Sequence, residues 1–254
     1  MEKIYLANNT SSQFLKKTFK YCFLPLVFAF FIIIAYSSSA SAAAYYVAKT
    51  GNDTTGDGSV GNPWLTLQHA EDAAANGDTV HVGEGTYKEN HATLHGWSAS
   101  KGIAWIADGA VTVTATGTAL RVLYTSGTES VSFTGFIFDA NDGIDGAKSY
   151  AVNFATSTAN KTFSYCTFED ATSSLLTGVT LSNINVDNSI FNMTSAAVSG
   201  IKGSYANTTI SESVFNATAG LAAVRISSPG NSILFENNDF NTSVALGNIS
   251  LLKI

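Results

Sequence analysis

Two sets of side chains have the types and spacing for chemistry. The first is acidic: Asp139, Asp142 and Asp145 fall close together, and Glu169 and Asp170 follow further on. Carboxylates gathered in adjacent turns would repel one another unless a cation or water screened them. Calcium suits such a set, since it takes roughly six to eight oxygen ligands at flexible geometry; a solvated acidic turn is the alternative. The second set is basic. Arg121 in Ala119-Leu120-Arg121-Val122 and Arg225 in Ala223-Val224-Arg225-Ile226 sit in like settings, and Asn153 and Ser199 are expected at the equivalent place between them. Flanked by inward apolar residues, these four are expected to point outward from one sheet. An arginine is ordinarily fully protonated, so surface charge or contact with a polysaccharide is its expected role.

Positioning these groups requires a scaffold, and the sequence shows one by repetition. An apolar residue is followed five positions later by phenylalanine and then by an acid or asparagine: Phe133/Phe138/Asp139, Phe163/Phe168/Glu169, Val186/Phe191/Asn192, Ile210/Phe215/Asn216 and Phe235/Phe240/Asn241. The second phenylalanine advances by 30, 23, 24 and 25 residues. Such a period marks a repeat architecture, whose units cannot bury their apolar faces alone. About 16 residues before each marker phenylalanine stands a second apolar pair, Leu120/Val122, Val152/Phe154, Val198 with Ile201, and Val224/Ile226. Each coil therefore offers two or three short strands, expected to stack about 4.8 Å apart. The marker phenylalanines then form an internal column. Acids of neighbouring coils stand one strand spacing apart. The span from Asn141 to Lys148 is a loop of about six inserted residues, and such loops commonly build the binding face of a solenoid.

Composition and the remaining segments agree. Residues 1–42 read as an export signal: Lys16, Lys17 and Lys20 precede an apolar run from Tyr21 to Tyr36, and Ala40-Ser41-Ala42 offers a cleavage site. Residues 43–254 are expected to form one domain, with no membrane span once the signal is removed. They carry eighteen acidic against nine basic residues, which excludes nucleic acid as an expected partner, because phosphate binding needs a basic face. Cys166 is then the one remaining cysteine, so no intrachain disulfide can form. From Trp64 to Asn76 the apolar spacing is helical, with Trp64, Leu67, Ala70 and Ala74 on one face and Gly77 placed as a C-terminal cap. A single amphipathic helix here is suited to cover the open end of the stack.

The run from Tyr45 through Trp64-Leu65-Thr66-Leu67-Gln68-His69-Ala70 to Gly77-Asp78-Thr79-Val80-His81-Val82 and Gly85-Thr86-Tyr87 resembles the start of secreted proteins of the pectate-lyase-like superfamily. With the repeats, the likeness covers nearly all of positions 45–254. It implies an all-β chain folded as a right-handed parallel β-helix with a short N-terminal helix. The resemblance further implies that the sheet carrying Arg121 holds the substrate groove. In similar lyases an arginine or lysine there abstracts a proton beside a uronate carboxylate neutralised by calcium, which by likeness makes Arg121 and Lys148 the possible bases. The resemblance extends equally to noncatalytic surface proteins. The Asn-Thr-Asp, Asp-Asp and Gly-His-Gly segments of similar hydrolases are absent, which counts against glycoside hydrolysis.

Four other features carry expectations. Asp53 and Asp57, in a Gly/Asn/Asp-rich loop, fit turn chemistry as well as a cation site. His91 and His95 are four apart, but Gly96 argues against a helix that would pair them on a metal, so both are expected at the surface. Sequons occur at Asn52, Asn160, Asn192, Asn207, Asn216, Asn241 and Asn248, and asparagine is also the coil's own turn residue. Finally, Ile249 to Ile254 begins a strand that stops without a polar cap. A continuation into further coils, or another chain packed on that edge, is expected there. The function expected is a secreted or cell-surface module that contacts polysaccharide without catalysis, with a calcium-dependent lyase of uronate-containing polysaccharide as the alternative.

Overall fold

The computed structural model describes residues 41–91, 94–141, 148–155, 159–194, 199–218, 222–228 and 233–242. The expected export signal up to residue 40, Asp142 and Asp145, Val198, Asn248 and the segment from Ile249 lie outside the described residues.

Short β-branched and aromatic runs separated by polar turns become strands, and every ladder between them is parallel. One sheet holds β1 (Ala44–Val47), β2 (Thr79–Glu89), β4 (Ala104–Ala115) and β6 (Val131–Asp139), laid side by side. After β6 this sheet divides. Its first half continues through β8 (Lys161–Ser164), β11 (Ile184–Asp187), β14 (Thr208–Ser211) and β17 (Ile233–Glu236). Its second half continues through β9 (Thr167–Glu169), β12 (Ile190–Met193), β15 (Val214–Ala217) and β18 (Asp239–Thr242). A separate six-stranded sheet stacks β3 (His95–Ala99), β5 (Arg121–Thr125), β7 (Tyr150–Phe154), β10 (Ser174–Ser182), β13 (Ser199–Ala206) and β16 (Ala222–Ser228). The chain is a right-handed parallel β-helix, each coil contributing one strand to the second sheet and one long or two short strands to the first.

The repeat read from the sequence is the register of this ladder. Phe138, Phe168, Phe191, Phe215 and Phe240 pair in order. Their rings stack at centroid distances of 5.6, 5.0, 4.3 and 4.9 Å, with the Phe191 and Phe215 planes 1° apart. Phe133, Phe163, Val186, Ile210 and Phe235 form a second inner column. Trp97 and Trp105 meet edge to face at 4.6 Å and continue the core toward the N-terminus.

A third inner column was not read from the sequence. Where each first-sheet strand turns a corner, Tyr165, Asn188, Glu212 and Asn237 adopt φ of 57, 47, 50 and 53°. The residues that follow, Cys166, Ser189, Ser213 and Asn238, line up inside. The Cys166 and Ser189 N–H groups donate to the Ser189 and Ser213 hydroxyls at 3.1 Å, and the Ser213 N–H to Asn238 Oδ1 at 2.9 Å. Each serine hydroxyl then donates to a carbonyl two residues back, Asp187 O or Ser211 O. Buried corner amides thus find partners one coil away, as desolvated backbone groups must. Cys166 is a free, buried member of this column, and burial pushes its thiol up to about 12.

The N-terminal end is closed by side chains. Helix α1 (Leu67–Ala73) is shorter than the periodicity predicts: Trp64 instead bridges to Val47, Thr66 is the N-cap, and Ala74 is the extended C-cap. Gly77 is not that cap. With φ of 92° it turns the chain into β2, and its N–H donates to Gly102 O. The apolar face is as expected, with Leu67, Ala70 and Ala74 buried against β1, β2 and β3. Among the described residues β3 is the edge strand of the second sheet, so its edge amides need other acceptors. Gln68 Oε1 accepts from Ser98 N, and Glu71 Oε1 from Ser100 N and Lys101 N. Glu89 accepts from Leu67 N and Gln68 N at the helix start, and Lys101 Nζ donates to Asp72 O and Ala74 O at its end. Asp53 and Asp57 serve turns: Asp53 accepts from Leu65 N and Thr66 N, and Asp57 from Ser59 N.

Two outcomes follow from this packing. Phe191→Ala removes the middle of the aromatic column and lowers unfolding stability by about 3–5 kcal/mol, read from urea denaturation. Burial raises Glu71 and Glu89 above the usual glutamate value of 4.5. The folded state therefore holds more protons than the unfolded chain between that value and the raised one, and stability from these groups falls as pH rises through the interval. Glu71→Gln, which cannot ionise, gains thermal midpoint over the parent as pH climbs from 4.5 toward neutral; an unchanged difference across that range contradicts the assignment.

Candidate functional site

The outward face of the six-stranded sheet arises from a local pattern. In β3, β5 and β7 the first and fourth residues are half-buried and the second, third and fifth buried. His95 and Ser98, Arg121 and Tyr124, and Tyr150 and Asn153 therefore stand on the outer surface in two columns. In the ladder, the register of the first column continues from His95, Arg121 and Tyr150 to Ser174 and Ser199, which are buried, and to the backbone of Ala222; that of the second runs Ser98, Tyr124, Asn153, Thr177 and Lys202, with the backbone of Arg225 next.

This corrects the expected alignment of Arg121, Asn153, Ser199 and Arg225. Asn153 and Arg225 do share a column, whereas Arg121 and Ser199 belong to the other. The expectation matched Leu120/Val122 with Val152/Phe154, but Leu120 precedes the strand and is 42% exposed, and it is Leu123 and Thr125 that pair with Val152 and Phe154. Two consecutive buried residues, Val122 and Leu123, defeat an alternating template. The signal that finds the face is a polar-apolar-apolar-polar quartet: His95 to Ser98, Arg121 to Tyr124, Tyr150 to Asn153, Ser174 to Thr177 and Ser199 to Lys202. It would have added His95, Tyr124, Tyr150, Thr177 and Lys202 to the candidates.

Side chains on this face contact one another across the columns. Arg121 Nη1 donates to Asn153 Oδ1 at 2.8 Å, and its guanidinium lies 5.1 Å from the Tyr124 ring centroid. The His95 ring packs on Tyr124 at 4.2 Å. Desolvation first, and then Arg121 and His91, hold the His95 imidazolium below its ordinary range. His95 thus presents its ring from a strand, packed on Tyr124. Tyr124 carries an aromatic neighbour and a cation, a composition suited to stacking and hydrogen bonding with sugar rings.

Lys148 is placed differently from an exposed base. It is 4% exposed, and its ammonium donates to Gly117 O at 3.0 Å. Its carbonyl accepts from Thr172 N and its N–H donates to Ala140 O, so it ties the base of the inserted loop to both adjacent coils.

The acidic turn is brought together in part. Asp139 and Glu169 are register partners, one strand spacing apart as expected. Asp139 Oδ1 accepts from Asn141 N, and Glu169 Oε2 from Asn192 Nδ2. Asp170, at φ 59°, turns away to accept from Thr194 Oγ1. Hard carboxylate oxygens suit calcium in kind, and Asp139 with Glu169 is the pair whose register allows sharing. Among the described residues no group of three His, Cys, Asp or Glu side chains is gathered for a metal. From Glu169 an amide ladder departs: Asn216 Nδ2 donates to Asn192 Oδ1 and Asn241 Nδ2 to Asn216 Oδ1. Three of the sequon asparagines are therefore parts of the ladder.

No protein-family model matches this chain, and no curated protein matches it. Solved structures do. Pectate lyase Pel9A is similar with a TM-score of 0.59 at 17% identity, over 84% of this chain and 57% of that one. A pectin methylesterase mutant in complex with a hexasaccharide is similar with a TM-score of 0.54 at 12% identity, over 81% of this chain and 68% of that one. This chain thus spans little more than half the length of the lyase. Among the described residues no helix is long and apolar enough to cross a membrane. The ladder, the aromatic columns and these likenesses agree: the chain has a right-handed parallel β-helix fold, similar to that of these two solved structures.

Proposed function

We propose that this protein is a secreted or cell-surface module that holds polysaccharide on the outer face of its six-stranded sheet without breaking it. The observation that carries the reading is the cluster of His95, Arg121, Tyr124, Tyr150 and Asn153 on that face. Aromatic rings offer stacking surface, while the guanidinium and amide orient hydroxyl or carboxylate groups. Both pectin-related proteins of similar fold support polysaccharide as the ligand class.

The noncatalytic part rests on the two candidate bases. The Arg121 guanidinium offers donors and no acceptor and is held by Asn153; Lys148 is buried on a carbonyl. Neither is free to take a proton from a substrate on the surface. The second reading, a calcium-dependent lyase, is favoured by one arrangement, the in-register Asp139 and Glu169 beside the inserted loop. Those carboxylates would hold the ion, whose charge would neutralise a uronate.

Purified protein is titrated with polygalacturonate and pectin, with and without calcium, following binding by calorimetry and unsaturated products by ultraviolet absorbance. The expected result is binding with a flat absorbance trace, and a loss of about tenfold in affinity in Tyr124→Ala and in Arg121→Ala. Calcium-dependent absorbance that disappears in Asp139→Asn establishes the lyase instead. Absence of binding with either polymer removes this face as a polysaccharide site.

A further inference from the structure

Asp78, in the turn between helix α1 and β2, is a carboxylate that the fold buries without a cation; it is 6% exposed. Its Oδ2 accepts from Ala75 N at 2.7 Å and its Oδ1 from Ala43 N at 2.8 Å, one residue before β1 begins. Among the described residues no lysine, arginine or histidine forms a salt bridge with it. Charged groups on the elements packed around it are engaged elsewhere. Lys101 Nζ donates to Asp72 O and Ala74 O, Lys161 Nζ to Gly127 O and Glu129 O, and Lys49 lies over the Tyr87 ring. His81 pairs with Asp108, Asp72 accepts from Gln68, and Glu71 and Glu89 accept from backbone amides. Two neutral donors offset the desolvation of a buried carboxylate only in part. The site is short of one positive charge.

The sequence shows where that charge can arise. The expected export signal is cut between Ala42 and Ala43, and Ala43 N is the atom that meets Asp78. Ala42 is exposed, Ala43 is half-buried, and the compact unit that holds the β-helix begins at Ala42. Hydrolysis adds water across that peptide bond, leaving a carboxylate on Ala42, which departs with the signal, and an ammonium on Ala43. The Ala43 carbonyl accepts from Thr79 N at 2.8 Å, and β1 pairs with β2 from the next residue on. The ladder therefore holds the nitrogen in place.

We propose that removal of the export signal creates a latch, in which the new α-ammonium of Ala43 forms an ion pair with the buried carboxylate of Asp78. The pair fastens β1, which among the described residues is an end strand of the first sheet, to the turn that starts β2. One N–H of the ammonium takes over the hydrogen bond as a charge-assisted one, roughly twice as strong as its neutral counterpart. Half-burial leaves the other N–H groups to water. In the precursor the same nitrogen is an uncharged amide, so the latch forms only in the processed chain. It rests on export, one part of the function proposed above, and not on polysaccharide binding.

The test expresses the full chain in a secreting host and reads the N-terminus of the exported protein by mass spectrometry. A second chain carries one threonine inserted between Ala42 and Ala43, which moves the ammonium one residue outward while Ala43 N stays a donor. The exported parent begins at Ala43, and at neutral pH its thermal midpoint stands about 2–4 °C above that of the inserted chain, the size of one such interaction in a protein of this length. Pairing raises the folded amine above its unfolded value of ~7.7–8.0. The advantage is therefore full below that value and is lost as pH rises through the raised one, closing toward about pH 10. Asp78→Asn abolishes the difference between the two chains, and the insertion and its pH dependence decide the matter even where that variant folds poorly. A parent that is retained in the cell, or exported with another N-terminus, overturns the latch together with the expected cleavage. A parent that begins at Ala43 without a midpoint advantage, or with one that persists to about pH 10 or in Asp78→Asn, overturns the latch alone and leaves export standing.

Discussion

Each coil of this protein finds hydrogen-bond partners almost wholly in the coils before and after it, and that constraint governs the rest. A parallel ladder repeats every ~4.8 Å, so a residue type that recurs at one place in the coil becomes a column. The ring separations of 4.3–5.6 Å along the phenylalanine column are that repeat expressed in side chains. Stacking and ladder reinforce each other, because a slipped register would break both. No disulfide contributes, since the one cysteine among the described residues is a free member of a buried column.

Corners and ends are where such a ladder is vulnerable. At the corners a residue with positive φ reverses direction, and the next N–H is left inside the molecule. Ser189, Ser213 and Asn238 resolve this by accepting from the coil before while donating to nearby carbonyls. At the N-terminal end the same need is met by Gln68, Glu71 and Glu89, whose side chains join helix α1 to β2 and β3. Burying Glu71 and Glu89 costs stability through desolvation, which their raised proton affinity records.

The surface inherits the columns, and with them its chemical variety. One face presents rings and cations, with Tyr124 between His95 and Arg121. Another presents amides that pair along the stack and end at Glu169 beside Asp139. Rigid scaffolds of this kind separate the question of fold from that of activity, because any outward position can change without disturbing the core.

Much of the architecture was legible because it repeats. The apolar residue, phenylalanine and acid or amide at fixed spacing identified strands, inner columns and the pairing of Asp139 with Glu169, since identical environments demand like residues. Trp64, Leu67, Ala70 and Ala74 announced a buried helical face, though not that Trp64 would leave the helix to bridge Val47. What the sequence left open was decided by tertiary structure for physical reasons. The register of β5 on β7 follows burial of the adjacent Val122 and Leu123, which no alternating pattern indicates, and it moved Arg121 three positions from Asn153. Cys166, Ser189 and Ser213 are ordinary turn residues until a neighbouring coil supplies amides that need acceptors. Lys148 looks like a loop cation until the coils on either side enclose it. Sequence alone determines which residues can form a column; only stacking the coils determines which groups then face one another and which are left without water.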